Sequence, residues 1–341
     1  MTSASVTVRQ RDGTALRFAG LAVGAAVLLL LFGASLAVGS MSIPLPAVFG
    51  GLFSADGSVT SLILQTVRLP RALSAILVGA SLGVAGAIMQ ALTRNPLASP
   101  GILGVNAGAA LTVVAAVLVL GNPPLATYAL FALLGAAVAG ALVYALGNAG
   151  RGSSSPLRLA LAGAVLMSFL TSLTTALLLL DRNTLDSVRF WTAGSLAGRD
   201  MELFALAAPY MLTGLLLSVP LARQLTALSL GDDVARGLGQ RSGRVKLFAA
   251  LVVVLLAGGA VALAGPVAFV GLVAPHLARF LAGVDYRWVL PYAALLGAML
   301  VIVGDIGARV ALRPQEVPVG VVMALIGAPF FIYLARSMVK Q

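Results

Sequence analysis

The sequence predicts an all-α, polytopic membrane protein with ten transmembrane helices and both termini in the cytoplasm, and three observations lead there. Of the 341 residues 60% are apolar and 10% are charged, against roughly 25% charged in a soluble domain, which is too little polar surface to coat a water-soluble globule. Apolar runs of about 20 residues, the length that crosses a bilayer as helix, recur along the chain. The basic residues are shared unevenly between the turns that join these runs.

The runs fall at 18–40, 71–91, 101–120, 126–147, 157–180, 201–221, 245–263, 266–283, 288–308 and 316–336. The first follows Arg9, Arg11 and Arg17 as a signal peptide would, but it exceeds the roughly 7–15 apolar residues of such a segment and is expected to remain as a span. The chain therefore divides into a cytoplasmic tail (1–17), a single transmembrane domain (18–336) and a short cytoplasmic tail (337–341). With both ends inside, fifteen of the 22 Lys and Arg residues face the cytoplasm, while the outer turns hold equal numbers of acids and bases. Basic residues are retained on the cytoplasmic side, so the net charge of +11 is explained by topology and needs no nucleic acid as partner. The 38 glycines suit lipid, where small residues let helix backbones approach.

Several chemistries are excluded. Cysteine is absent and His276 is the one histidine, so the usual multi-ligand metal site cannot be built. Lys246 and Lys340 are the only lysines and neither lies in a Gly-x-x-x-x-Gly-Lys-Ser/Thr phosphate loop. The chain is not expected to be an enzyme. Charges within the spans are scarce, which argues against ion-coupled carriers.

Some segments carry more than lipid-facing helix. Arg68 and Arg71 flank Pro70 at the expected start of the second span and present two guanidinium forks at the outer rim, suited to carboxylates. Gly79 and Gly83 stand at close-packing spacing, and Arg94, Asn95, Pro96, Leu97 and Ala98 form the turn that follows. In the longest inner turn, Gly231, Asp232 and Asp233 start a short amphipathic helix through Val234, Ala235 and Leu238, and Gly239 ends it. Asp305 and Arg309 are spaced for an intrahelical ion pair.

In order, RLPR from Arg68, GASLGVAGAIMQALTRNPLASPGILG from Gly79, LSLGDDVARGLG from Leu228, GPVAFVGLVAPHLAR from Gly265, GDIGAR from Gly304 and EVPVGVVMALIGAPFF from Glu316 resemble the iron-siderophore and vitamin B12 (FecCD-type) permease family of ABC importers. The resemblance implies a subunit of a bacterial inner-membrane importer for ferric siderophores, cobalamin or haem. It would pair with a second permease, sit on two cytosolic ATPase subunits that bind ATP and Mg, and receive an extracytoplasmic substrate-binding protein. By the same similarity Arg68, Arg71 and Arg309 dock the binding protein, Asn95, Leu97 and Ser154 fall at the cytoplasmic gate, and residues 228–239, with Gly231, Asp232, Val234, Ala235, Leu238 and Gly239, couple to the ATPase. Helix position suggests Met89, Gln90, Asn106, Met167 and Thr171 for the translocation path.

Overall fold

The computed structural model describes residues 6–39, 43–53, 58–121, 123–148 and 156–339. These form α1 (Val6–Ala37), α2 (Leu45–Phe53), α3 (Val59–Leu62), a π-helical turn (Ile63–Arg68), α4 (Leu69–Thr93), a 3-10 turn (Pro100–Leu103), α5 (Val105–Leu120), α6 (Leu125–Asn148) and α7 (Pro156–Leu180). There follow α8 (Arg182–Thr192), α9 (Met201–Ser229), α10 (Asp232–Gly237), α11 (Ser242–Ala264), α12 (Val270–Ala282), α13 (Tyr286–Val310) and α14 (Val319–Val339). Seven helical runs among the described residues are long and apolar enough to cross a membrane, and Val105–Leu120, Val270–Ala282 and Val319–Ile332 are shorter apolar helices. Each expected run lies on one of them.

Three expectations about helix ends are corrected. Pro70 does not start a helix, because α3, the π turn and α4 form one run, Val59–Thr93. Proline cannot donate to the backbone ladder and its ring crowds the carbonyl four residues back. The wider π turn accommodates it, with the Leu69 amide bonded five residues back to the Leu64 carbonyl. α9 continues through Pro220 to Ser229, well past the expected end at 221. The chain from Gly265 to Phe269 is not helical, which delays α12 to Val270. The short helices α2 and α8 were not legible as apolar runs, since one has nine residues and the other is largely polar.

Burial orders the helices. In its most apolar stretch the run ending in α4 is 83% buried and α11 is 72% buried, whereas α1 and α7 are only 11% and 17% buried. The first pair forms the core; the second lies outside. Core packing depends on glycine, because a side chain on Gly79 would strike the Gly297 carbonyl, one on Gly83 the Ala293 carbonyl, and one on Gly86 the Gly271 carbonyl. These place α4 backbone-to-backbone against α13 and α12. In lipid, where apolar surface gains nothing from leaving water, such close packing is a main source of helix association.

Candidate functional site

The candidate residues gather at the two ends of α4. At the Arg71 end, helices 234 residues apart in sequence converge on a buried charge network. Arg71 Nε donates to Asp305 Oδ1 at 2.9 Å and its Nη1 to Glu316 Oε2 at 2.6 Å, while Arg309 Nη2 lies 3.0 Å from Asp305 Oδ2. The expected pair of Asp305 and Arg309 is thus present and is joined by a second arginine. Arg309 Nη1 also donates to the Ser35 and Val38 carbonyls, and Arg68 Nη1 to the Leu36 and Ala37 carbonyls. Both thereby tie the C-terminus of α1, where carbonyls lack helical partners, to the bundle.

This corrects the expectation of guanidinium forks presented at a rim. Arg68, Arg71 and Arg309 are 5%, 6% and 3% exposed, and Asp305 is fully buried. Sequence reasoning grouped the three arginines but missed that Asp305 and Glu316 already occupy Arg71, since no local spacing links Arg71 to either.

Beside this network the segment after α8 is knotted to two other elements. The Ser195 amide donates to the Ala264 carbonyl at 2.8 Å and the Gly320 amide to the Gly194 carbonyl at 2.9 Å. The knot holds open a cleft of about 720 Å3 lined by Tyr128, Phe190, Trp191, Arg199, Glu316 and Pro318 among others. Arg199 and Trp191 were missed as site residues; Arg199 registered in the sequence only as an outer charge.

At the opposite end, α10 is a one-and-a-half-turn projection. Its first residue, Asp232, is locked to Lys246 at 2.8 Å, and Gly231 precedes it at φ +122°, a conformation open to glycine but strained for other residues. The turn closes by hydrogen bonds from the Gly239 amide to the Arg236 carbonyl and from the Gln240 amide to the Ala235 carbonyl. Ala235 is fully buried, whereas Val234 is 47% and Leu238 71% exposed. A rigid base thus carries an apolar tip.

The turn after α4 lies against this projection, with the Arg94 guanidinium 3.7 Å from where a side chain on Gly231 would begin. Asn95 Oδ1 accepts the Leu97 amide at 2.9 Å and shapes the turn. Leu97 packs against Leu272 and Val273 of α12, the buried pair that Phe330 and Phe331 of α14 also cover. The turn that carries Asn95 and Leu97 therefore lies between the start of α10 and α12; Ser154 lies outside the described residues.

Of the expected path residues, Thr171 is exposed and Met167 and Asn106 are half-buried. Met89 is fully buried within the main core and Gln90 is 4% exposed, so within this chain both face packed helices and no open wall. Among the described residues there is no group of three His, Asp or Glu side chains able to hold a metal.

The model of the FecCD transport family matches residues 27–337. The chain belongs to the FecCD transport family. It is 49% identical over 295 residues to the probable siderophore transport system permease protein YfiZ of Bacillus subtilis, covering 86% of this chain and 88% of the relative. It is 42% identical over 319 residues to the ferric enterobactin transport system permease protein FepD of Escherichia coli, covering 93% and 95%. A solved structure of a metal-chelate type ABC transporter in an inward-facing conformation superposes with a TM-score of 0.82 at 29% identity, over 93% of this chain and 98% of that one. The FecCD chain is accordingly a multi-pass membrane protein, and the ordered motifs that suggested the family from sequence all lie within the matched region.

Proposed function

We propose that this chain is the permease subunit of a bacterial inner-membrane importer for ferric siderophores, driven by separate ATPase subunits and fed by an extracytoplasmic binding protein. The single observation that carries the coupling step is α10. A fixed, buried base under exposed Val234 and Leu238 suits insertion of a small helix into a groove on a soluble partner. ATP and Mg belong to that partner in this reading, and substrate crosses by alternating access without covalent chemistry.

The seven long and three shorter apolar helices support ten crossings with both termini and α10 in the cytoplasm, and a second permease subunit completes the path. Relatives that carry siderophore and enterobactin in their names support the cargo. The Asn95–Leu97 turn gates the cytoplasmic end, moved by α10 through Arg94. Exposed Thr171 and half-buried Met167 and Asn106 contribute to the wall; Met89 and Gln90 support it from behind.

Docking at the Arg71 end works by exchange. Asp305 is inaccessible, but the Glu316 side chain is 31% exposed, so an acidic residue of the binding protein competes with Glu316 for Arg71, while Arg68 and Arg309 hold the site in shape. Glu316→Gln, which frees Arg71, is expected to tighten capture of the cognate binding protein several-fold at low salt, an advantage lost as salt screens the charges. Unchanged capture at every ionic strength removes Arg71 from docking.

The deciding test of the whole reading is reconstitution in vesicles with the cognate ATPase and binding protein. Uptake of radiolabelled ferric siderophore is expected to require both proteins and ATP; uptake driven by an ion gradient without ATP overturns it.

A further inference from the structure

Among the described residues Arg199 is a buried arginine of the Arg71 end that makes no ion pair. It is 6% exposed, and its Nε lacks a hydrogen-bond partner. A second orphan donor, Trp191 Nε1, is buried on the same cleft, with Trp191 4% exposed. Asp305 and Glu316 serve Arg71 and Arg309, and Asp200, the exposed N-cap of α9, accepts the Leu203 amide at 2.8 Å and acts on Arg199 through its charge without forming an ion pair with it. Four buried arginines at this end thus face two buried or half-buried carboxylates. A buried charge without a partner is strongly unfavourable, and native structures leave few buried donors unsatisfied.

Two unpartnered donors on residues that line one cleft, one of them cationic, call for an anionic acceptor. The walls indicate its body. Tyr128, Phe190, Pro123, Pro124 and Pro318 give the cleft an apolar and aromatic lining, and its volume of about 720 Å3 falls in the range of small-molecule sites, roughly 300–1,000 Å3. We propose that Arg199 and Trp191 form a carboxylate-binding site at the mouth of the permease, which takes the organic carboxylate of an incoming ferric chelate. The guanidinium fork matches a carboxylate bidentately, and the indole N–H donates a further bond to the same group. Glu316, which also lines the cleft, repels a second carboxylate and so orients the ligand. The site deepens the importer reading and rests on it for the identity of the arriving anion.

Burial, opposed by Asp200 and reinforced by Arg71, pushes the Arg199 guanidinium down to about 10, as expected of a cation awaiting its counter-charge. Binding is therefore expected to hold steady from neutral pH to about 9 and to weaken as pH rises through 10, because only the protonated form attracts the anion.

The chain has two tryptophans, so in a Trp288→Phe background Trp191 is the sole reporter. The full chain in lipid nanodiscs is titrated with citrate, with ferric citrate and with a ferric trihydroxamate that lacks carboxylates, against equal ionic strength of chloride. A saturable change in Trp191 emission is expected with both citrate species and not with the trihydroxamate or chloride. Arg199→Gln is expected to weaken citrate binding by at least about tenfold, which corresponds to about 1.4 kcal/mol. Arg199→Lys keeps the charge and the fold but loses the fork, and is expected to lie between the two. Absence of saturable binding, equal response to chloride, or wild-type affinity in both Arg199 variants overturns the site. Because the readout needs neither ATPase nor binding protein, citrate binding without transport sinks the importer reading alone, and transport without citrate binding sinks only the site.

Discussion

Asp305 is the residue on which the Arg71 end turns. It accepts from Arg71 and Arg309 while fully buried, so removing its charge leaves two guanidinium groups desolvated and under-compensated. Asp305→Asn, nearly isosteric, is expected to destabilise the chain by about 3–5 kcal/mol, the usual effect of breaking a buried pair from one side, read as a drop in thermal unfolding temperature in detergent. Asp285 gives a contrasting, milder case. It caps α13 and accepts from the Arg287 amide and side chain, and the Arg287 hydrogen bonds hold its carboxyl below the usual value. Its contribution is complete above the ordinary carboxylate pKa of about 3.9 and is lost as pH falls through the lower folded value. Since Arg287 is exposed, the ion pair adds little in water, and Asp285→Ala is expected to cost about 1 kcal/mol, the value of a helix cap, at neutral pH and less below pH 3. A loss that is equal at both pH values refutes the capping assignment.

Among the elements, α10 separates fold from coupling most cleanly. Val234→Asp and Leu238→Asp alter exposed positions and are expected to leave the chain folded while reducing transport-coupled ATP hydrolysis by about tenfold or more. Ala235→Asp buries a charge with no partner and is expected to abolish folded protein instead. Normal coupled turnover in both surface variants dismisses α10 as the contact. This element was legible in the sequence because its signals are local: a glycine start, two acids in the first turn and a glycine stop. The ten apolar runs were legible for a similar reason, as each extends over a continuous window. The union of α3, the π turn and α4 was not, since Pro70 reads locally as a start and only the surrounding bundle lets the helix run through it. Beyond the local Asp305–Arg309 pair the arginine network was invisible for the same physical reason: the partners of Arg71 come from α13 and the segment before α14, and one sequence holds no record of which distant charges meet. The unpartnered Arg199 was hidden among the outer charges until the fold showed which of them lack a counter-ion.

For the molecule as a whole, orientation is the property on which the proposed machine depends. The natural absence of cysteine makes it directly measurable. A single cysteine at Asp233, beside the exposed tip of α10, is expected to react with an impermeant maleimide only from the cytosolic side, and one at Ala197, on the Arg199 cleft, only from outside. The reverse pattern would place the ATPase contact outside the cell and end the importer reading.

The glycine face of α4 also bears on how such a chain is made. Where Gly79, Gly83 and Gly86 meet the backbone of α12 and α13, there is space for another helix and nothing else, yet these neighbours are synthesised almost 200 residues after α4 enters the bilayer. During that interval lipid tails must line a groove shaped for peptide, and they line it poorly. Truncation before α12 therefore leaves a helix that is stably inserted but whose glycine face is permanently unmated, the kind of half-built bundle that membrane quality-control proteases extract.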